Sequence, residues 1–194
     1  IAVPVGVISA VRKDSKVDTV SMVFALLGQS VPGFWLGLML ILVFAVDLGW
    51  LPTSGRQGFQ YLILPALSLG LALAGRHARL VRASVLEVLN EDYIRTARAK
   101  GLSNRVVLMR HALRNAAVPI LTVIGIGIAL LIGGAVVTES VFGLPGLGRL
   151  TVEAVLSRDF PTIQTVILLF SVVYVVVNLL IDISYTLFDP RIRY

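Results

Sequence analysis

Residues 76–115 read RHARLVRASVLEVLNEDYIRTARAKGLSNRVVLMRHALRN; nine are Arg or Lys and three are acidic. The stretch carries +6, numerically the formal charge of the whole chain. It lies between YLILPALSLGLALAG (61–75) and AAVPILTVIGIGIALLIGGAVV (116–137), runs too apolar to be stable against water. A basic, helix-prone segment held between two such runs decides the fold class: an all-α, polytopic membrane protein. The bulk composition agrees. Of 194 residues 57% are hydrophobic and 14% charged, where a soluble domain has roughly 25% charged residues. The chain contains no cysteine, which excludes disulfide frameworks, thiolate metal sites and cysteine nucleophiles.

Working outward, the apolar run 61–75 has only 15 residues, so it must continue past Arg76 to cross a bilayer, with Arg76 and Arg79 snorkelling to the interface. Upstream, Thr19–Val46 is long enough to span, and Gly28, Pro32 and Gly33 interrupt it; a kink is expected there. Residues 1–10 (IAVPVGVISA) have neither an initiating Met nor a basic region before a cleavage site. They are too few to cross a bilayer, which needs about 20, and read as the tail of a truncated spanning helix. Downstream, Gly125, Ala129 and Gly133 recur every four residues within 116–137, which predicts a helix-packing seam. A loop with GLPGLG (143–148) and a final run from Thr162 to about Leu187 follow. The sum is four complete spanning helices plus the end of a fifth.

If residues 11–18, 76–115 and 189–194 share one side, that side holds fourteen of the seventeen Arg and Lys, leaving only Arg56, Arg149 and Arg158 opposite. This bias assigns the crowded side, and the C-terminus, to the cytoplasm. Within the basic stretch, Asn90 is placed to cap a short helix, with Glu91 and Asp92 in its first turn, Arg98 and Lys100 in its last, and Gly101 at a left-handed turn. A second helix begins near Ser103. Lipid-binding arginines are the plain alternative reading of this loop.

Ser171, Tyr174, Asn178, Asp182 and Tyr185 fall at intervals of 3, 4, 4 and 3, on one face of the last helix. A polar stripe there lines a pathway or makes interhelical hydrogen bonds, with Asp182 pairing with Arg191 or Arg193. His77 and His111 have no carboxylate or sulfur ligand at suitable spacing, so no metal site is expected, and no catalytic arrangement stands out. Glu139, Glu153 and Asp159 are either contacts for an external protein or solvated loop charges. GLPGLG lacks the following Lys of a phosphate-binding loop and reads as a turn before a short helix.

DYIRTARAKGLS, HALRNAAVP, FGLPGLGRL, SRDFP and LFDPRIRY together resemble the membrane subunit of an ABC importer. They are similar to the inner-membrane permeases of the peptide/nickel family, which take up dipeptides, oligopeptides, glutathione or nickel complexes. The resemblance covers essentially all 194 residues, as one N-terminally truncated permease domain with 76–115 as its cytoplasmic coupling loop; the family's first spanning helix and external domain are expected upstream. Aligned on Gly101, the wider importer pattern (EAA, three residues, Gly, nine residues, I-x-L-P) is met only at Ala97, Gly101 and Leu113. RTARAKG with HALRN is the form that peptide permeases use. The resemblance implies that Asp92, Tyr93, Ile94, Arg95, Thr96, Ala97, Arg98, Ala99, Lys100 and Gly101 dock on a cytoplasmic ATPase. It further implies two such ATPase subunits carrying ATP and Mg, a second permease, an extracytoplasmic solute-binding protein and surrounding lipid. No cofactor in this chain and no nucleic acid is implied. The location would be a bacterial or archaeal inner membrane. The competing classes are an ion-coupled secondary carrier, which needs mid-membrane carboxylates, and a non-transporting membrane scaffold.

Overall fold

The computed structural model describes residues 1–55 and 58–188, without the side chains of residues 129, 130, 132 and 186–188. Among the described residues every regular element is helical. The order is α1 (Ala2–Val11), α2 (Lys16–Ser30), α3 (Gly33–Leu40, continued as a π-helix over Ile41–Asp47), α4 (Gln60–Leu89), α5 (Asp92–Ala99), α6 (Asn104–Val106, continued as a π-helix over Val107–Ala112), α7 (Leu113–Phe142), α8 (Leu147–Ser157) and α9 (Phe160–Phe188). Three described helices are long and apolar enough to cross a membrane: Gln60–Leu89, Asn104–Ile128 and Phe160–Tyr185. The apolar run 61–75 does continue, for α4 stays helical through Arg76 to Leu89. Between α2 and α3 the expected kink is a full break with a bend of 98°. Pro32 causes it: it offers no N–H to α2 and biases Val31 away from helical dihedrals. It sits at φ −59°, ψ 133° as the residue before α3.

The chain divides into two compact units, one made of Ile1–Leu27, Ala74–Gly127 and Val177–Tyr194, the other of Gly28–Leu73 and Ile128–Val176. In the first, Ala10, Val81, Val85, Ala116 and Ile120 form the core, drawing on α1, α4 and α7. Glycine sets the spacing of these helices. A Cβ on Gly6 would lie 2.6 Å from the Ala78 carbonyl oxygen, and one on Gly75 would strike the backbone of Ala25. Where α1, α2 and α4 meet, a buried carboxylate is bound from three sides. Asp18 accepts Arg82 Nε at 2.7 Å and an Arg82 terminal nitrogen at 2.6 Å, the Asp14 amide at 3.0 Å and the Ser9 hydroxyl. Such a two-pronged fork is the strong form of an ion pair. Removing one partner of a buried pair costs about 3–5 kcal/mol, because the other is left charged and dry.

In the second unit, Gly37 of α3 lets the Phe142 ring of α7 approach, and Gly134 of α7 receives Leu69 of α4. Here α8 is fastened to the end of α7 by a carboxylate: Glu139 Oε2 accepts the Arg149 amide at 2.9 Å. Its glycine-rich approach is therefore steric in origin. A side chain at Gly146 would occupy the space of the Glu139 carboxylate, and one at Gly148 would meet Val136 and Glu139.

Candidate functional site

The connector between α4 and α6 is narrower than 76–115, because Arg76–Leu89 extends α4 and Asn104–Asn115 enters the helical run leading into α7. What remains is α5 and its turns. Glu91, not Asn90, is the residue before the first helical turn, and it makes no side-chain cap. Asp92 in the first turn and Arg98 in the last do complement the helix dipole. At the other end Lys100 is followed by Gly101 at φ +78°. The Leu102 amide donates to the Ala97 carbonyl (3.4 Å) and the Gly101 amide to the Arg98 carbonyl (2.9 Å), the paired closure that a left-handed glycine permits. Ser103 then starts the next helix, as its position suggests.

α5 has two unlike faces. Ile94 (0% exposed) and Ala97 (6%) pack with Val107 and Ala112, and with Val88, Leu89 and Leu108. The π-helical segment supplies the bed: its i→i−5 bonding, as in Leu113 N–H to Leu108 O, brings Val107 and Ala112, five residues apart, to the same neighbour. Asp92, Tyr93, Arg95, Thr96, Arg98, Ala99 and Lys100 are exposed. Tyr93, 39% exposed, is tied at its hydroxyl, which accepts the Asn115 amide at 2.8 Å. Asn115 Nδ2 also donates to the His111 carbonyl at 3.1 Å. Among the described residues Arg95 pairs only with the exposed Asp92, at 3.2 Å; such a pair is worth less than about 1 kcal/mol and leaves the guanidinium available. Ile94 and Ala97, assigned above to the docking face, are thus turned inward. They anchor the helix, and the outward surface is polar and cationic.

The remaining sites sort as follows. Gly125 of the expected seam meets Ile181 of α9, a Cβ at Gly133 would meet nothing within 4 Å among the described residues, and the Ala129 side chain lies outside them. A different glycine, Gly127, takes the ring of His77, whose Nε2 lies 3.0 Å from the Val123 carbonyl; a carbonyl only accepts, so Nε2 carries the proton. In the polar stripe Tyr185 hydroxyl is 2.9 Å from Thr122 Oγ1, joining α9 to α7, while Ser171 returns its hydroxyl to the Ile167 carbonyl. Tyr174 and Asp182 are exposed and Asn178 is half-buried; Arg191 and Arg193 lie outside the described residues.

Glu139, Glu153 and Asp159 each have an internal partner. Glu139 caps α8, Glu153 pairs with Arg149 at 2.7 Å, and Asp159 accepts the Thr162 hydroxyl at 2.5 Å and its amide at 3.2 Å. The Thr162 hydroxyl, then its amide, hold the Asp159 carboxyl below the usual range. Reading the sequence alone missed the Ser9–Asp18–Arg82 cluster. Its one signal is an acid placed in the first turn of an apolar helix run.

The family model described as the inner membrane component of binding-protein-dependent transport systems matches residues 2–194. This chain belongs to that family. It is 50% identical over 189 residues to the glutathione transport system permease protein GsiC of Escherichia coli (strain K12), a match covering 97% of this chain and 62% of the relative. The GsiC of Shigella flexneri serotype 5b (strain 8401) matches with the same identity and coverage. The chain therefore spans about three-fifths of the length of these curated relatives. Among solved structures, a chain of the MetNI methionine ABC transporter in inward-facing conformations superposes with TM-score 0.80 at 20% identity, covering 97% of this chain and 86% of that one. A chain from an amino acid ABC transporter crystallised with histidines gives 0.68, also at 20% identity, over 98% and 85%. The family fold is thus shared at low identity.

Proposed function

We propose that this chain is the transmembrane permease subunit of an ATP-driven importer, forming half of an uptake pathway and coupled through α5 to separate ATPase subunits. The observation that carries the reading is the two-faced α5. It is anchored below by Ile94 and Ala97 and presents Arg95, Thr96, Arg98 and Lys100 to a partner. An acidic groove on an ATPase complements that charge, while ATP and Mg are handled on the partner. A second permease, two ATPase subunits, an extracytoplasmic solute-binding protein and lipid complete the assembly. The solute is peptide-like; half identity to glutathione permeases makes glutathione the first candidate.

The charge bias of the sequence supports a cytoplasmic location for α5 and the C-terminus. With the bent pair α2–α3 counted as one span, four spans follow α1. ATPase closure then moves α5 with the helices under it, provided each nucleotide state favours a different conformer.

The test is co-purification. Arg95→Glu combined with Arg98→Glu reverses the exposed charge without touching the buried face. It is expected to lower retention of the ATPase subunits at least tenfold while the permease still folds. Full retention in that variant would contradict the docking role.

A further inference from the structure

Resting on the permease reading, we infer that the Asp18–Arg82 fork is a pin that makes α1, α2, α4 and α5 one rigid lever, so that Asp18, Arg82 and Ser9 are positioning residues for coupling. The path is continuous in packed side chains. Ile94 and Ala97 of α5 rest on Val88 and Leu89 of α4. These same two residues also pack against the cluster of Ala10, Val81, Val85, Ala116 and Ile120. Arg82 lies between Val81 and Val85 in sequence, on the same helix, and its fork reaches across to Asp18 of α2. Ser9 of α1 donates to the same carboxylate.

Apolar packing alone resists compression but permits sliding of one helix along another. A two-pronged ion pair fixes both distance and orientation, since each prong has its own acceptor oxygen. The pair is also costly to open, because Asp18 is 6% and Arg82 23% exposed at the side chain. The glycine contacts fit the same role: with Gly6 against Ala78 and Gly75 against Ala25, α1 and α2 sit too close to α4 to rock on it. A pull on α5 is thereby delivered to α1 and α2 rather than absorbed at their interfaces.

Two introduced cysteines report on the lever directly, since this chain contains none of its own. Lys13→Cys, in the turn between α1 and α2, and Glu91→Cys, at the residue before α5 and outside its docking face, are both exposed and take nitroxide labels. Electron–electron distances are measured in the full-length protein assembled with its ATPase subunits, nucleotide-free and trapped with ATP and vanadate. With the native fork, one narrow distribution is expected, unchanged between states. Asp18→Asn is expected to at least double its width, or to make it nucleotide-dependent, with ATPase retention unchanged because the outer face of α5 is intact. Arg82→Lys keeps the charge and loses the fork, so it should broaden the distribution too, which covers the case in which Asp18→Asn does not fold. Distributions for both variants that superpose on the native one overturn the pin, as does a native distribution that shifts between nucleotide states. Native protein that never retains ATPase subunits overturns the permease reading instead, and the nucleotide-free comparison of Asp18→Asn with native protein still decides the pin.

Discussion

Two short helices, α5 and α8, each follow a long helix, yet they are secured in opposite ways. α5 is held from beneath by apolar side chains and starts without a side-chain cap. α8 is held at its first turn by the Glu139 carboxylate. Their free surfaces are reversed as well. α5 exposes charge, whereas α8 exposes Leu147, Leu150, Val155 and Leu156. Both end in a left-handed turn, one on Gly101 and the other on Arg158 at φ +57°. The lesson is that a helix whose charged side chains are turned to solvent is one available to a soluble partner. A helix whose acids are used internally, and whose apolar residues face outward, suits an apolar environment.

The comparison breaks first, if anywhere, at Ile94. Ile94→Ala removes the largest side chain under α5 and should destabilise its docking by about 2–5 kcal/mol, read as faster hydrogen exchange across Asp92–Ala99. Exchange unchanged there would mean that α5 is held by something other than its buried face. The two left-handed ends should respond with opposite signs. Gly101→Ala is expected to cost about 1 kcal/mol, and Arg158→Gly to gain up to about 1 kcal/mol, in thermal unfolding of the detergent-solubilised protein. Glu139→Ala should cost about 1 kcal/mol, the worth of a lost N-terminal acceptor. Its exchange signature should be confined to the first turn of α8.

The smallest effect belongs to Asp159. Its carboxyl is held low by Thr162, so its contribution is present above the ordinary aspartate value of 3.8 and is lost as pH falls below it through the lowered folded value. Protection at the start of α9 should therefore decline only in that acid range, and Asp159→Asn should remove the decline.

Much of this was legible in the residues. The apolar runs, Pro32 and the charge bias specify a helical membrane protein broken after Ser30. Gly101 and Ser103 mark the end of α5 and the start of α6 by simple turn chemistry. Side-chain direction was less legible. On a helix of eight residues, a pattern of Ile, Ala and Thr does not say which side is covered; that was decided by a π-helical segment that no local propensity announces. The Ser9–Asp18–Arg82 cluster was hidden for a related reason, since Asp18 and Arg82 are 64 positions apart and each looks like an ordinary interfacial charge. At the glycine seam, the i, i+4 spacing marks a small face without naming its neighbour. Among the described residues Gly125 lies against Ile181, whereas Gly133 has nothing within 4 Å of where its Cβ would be.

The central claim is that the exposed face of α5 is gripped by a separate ATPase subunit. A photoreactive side chain placed at Arg98, and in a parallel sample at Leu156 of α8, tests it in native membranes. The account predicts a covalent adduct with the ATPase subunit from position 98 and none from position 156. An adduct from position 156, or silence at position 98 while the ATPase co-purifies, would contradict it.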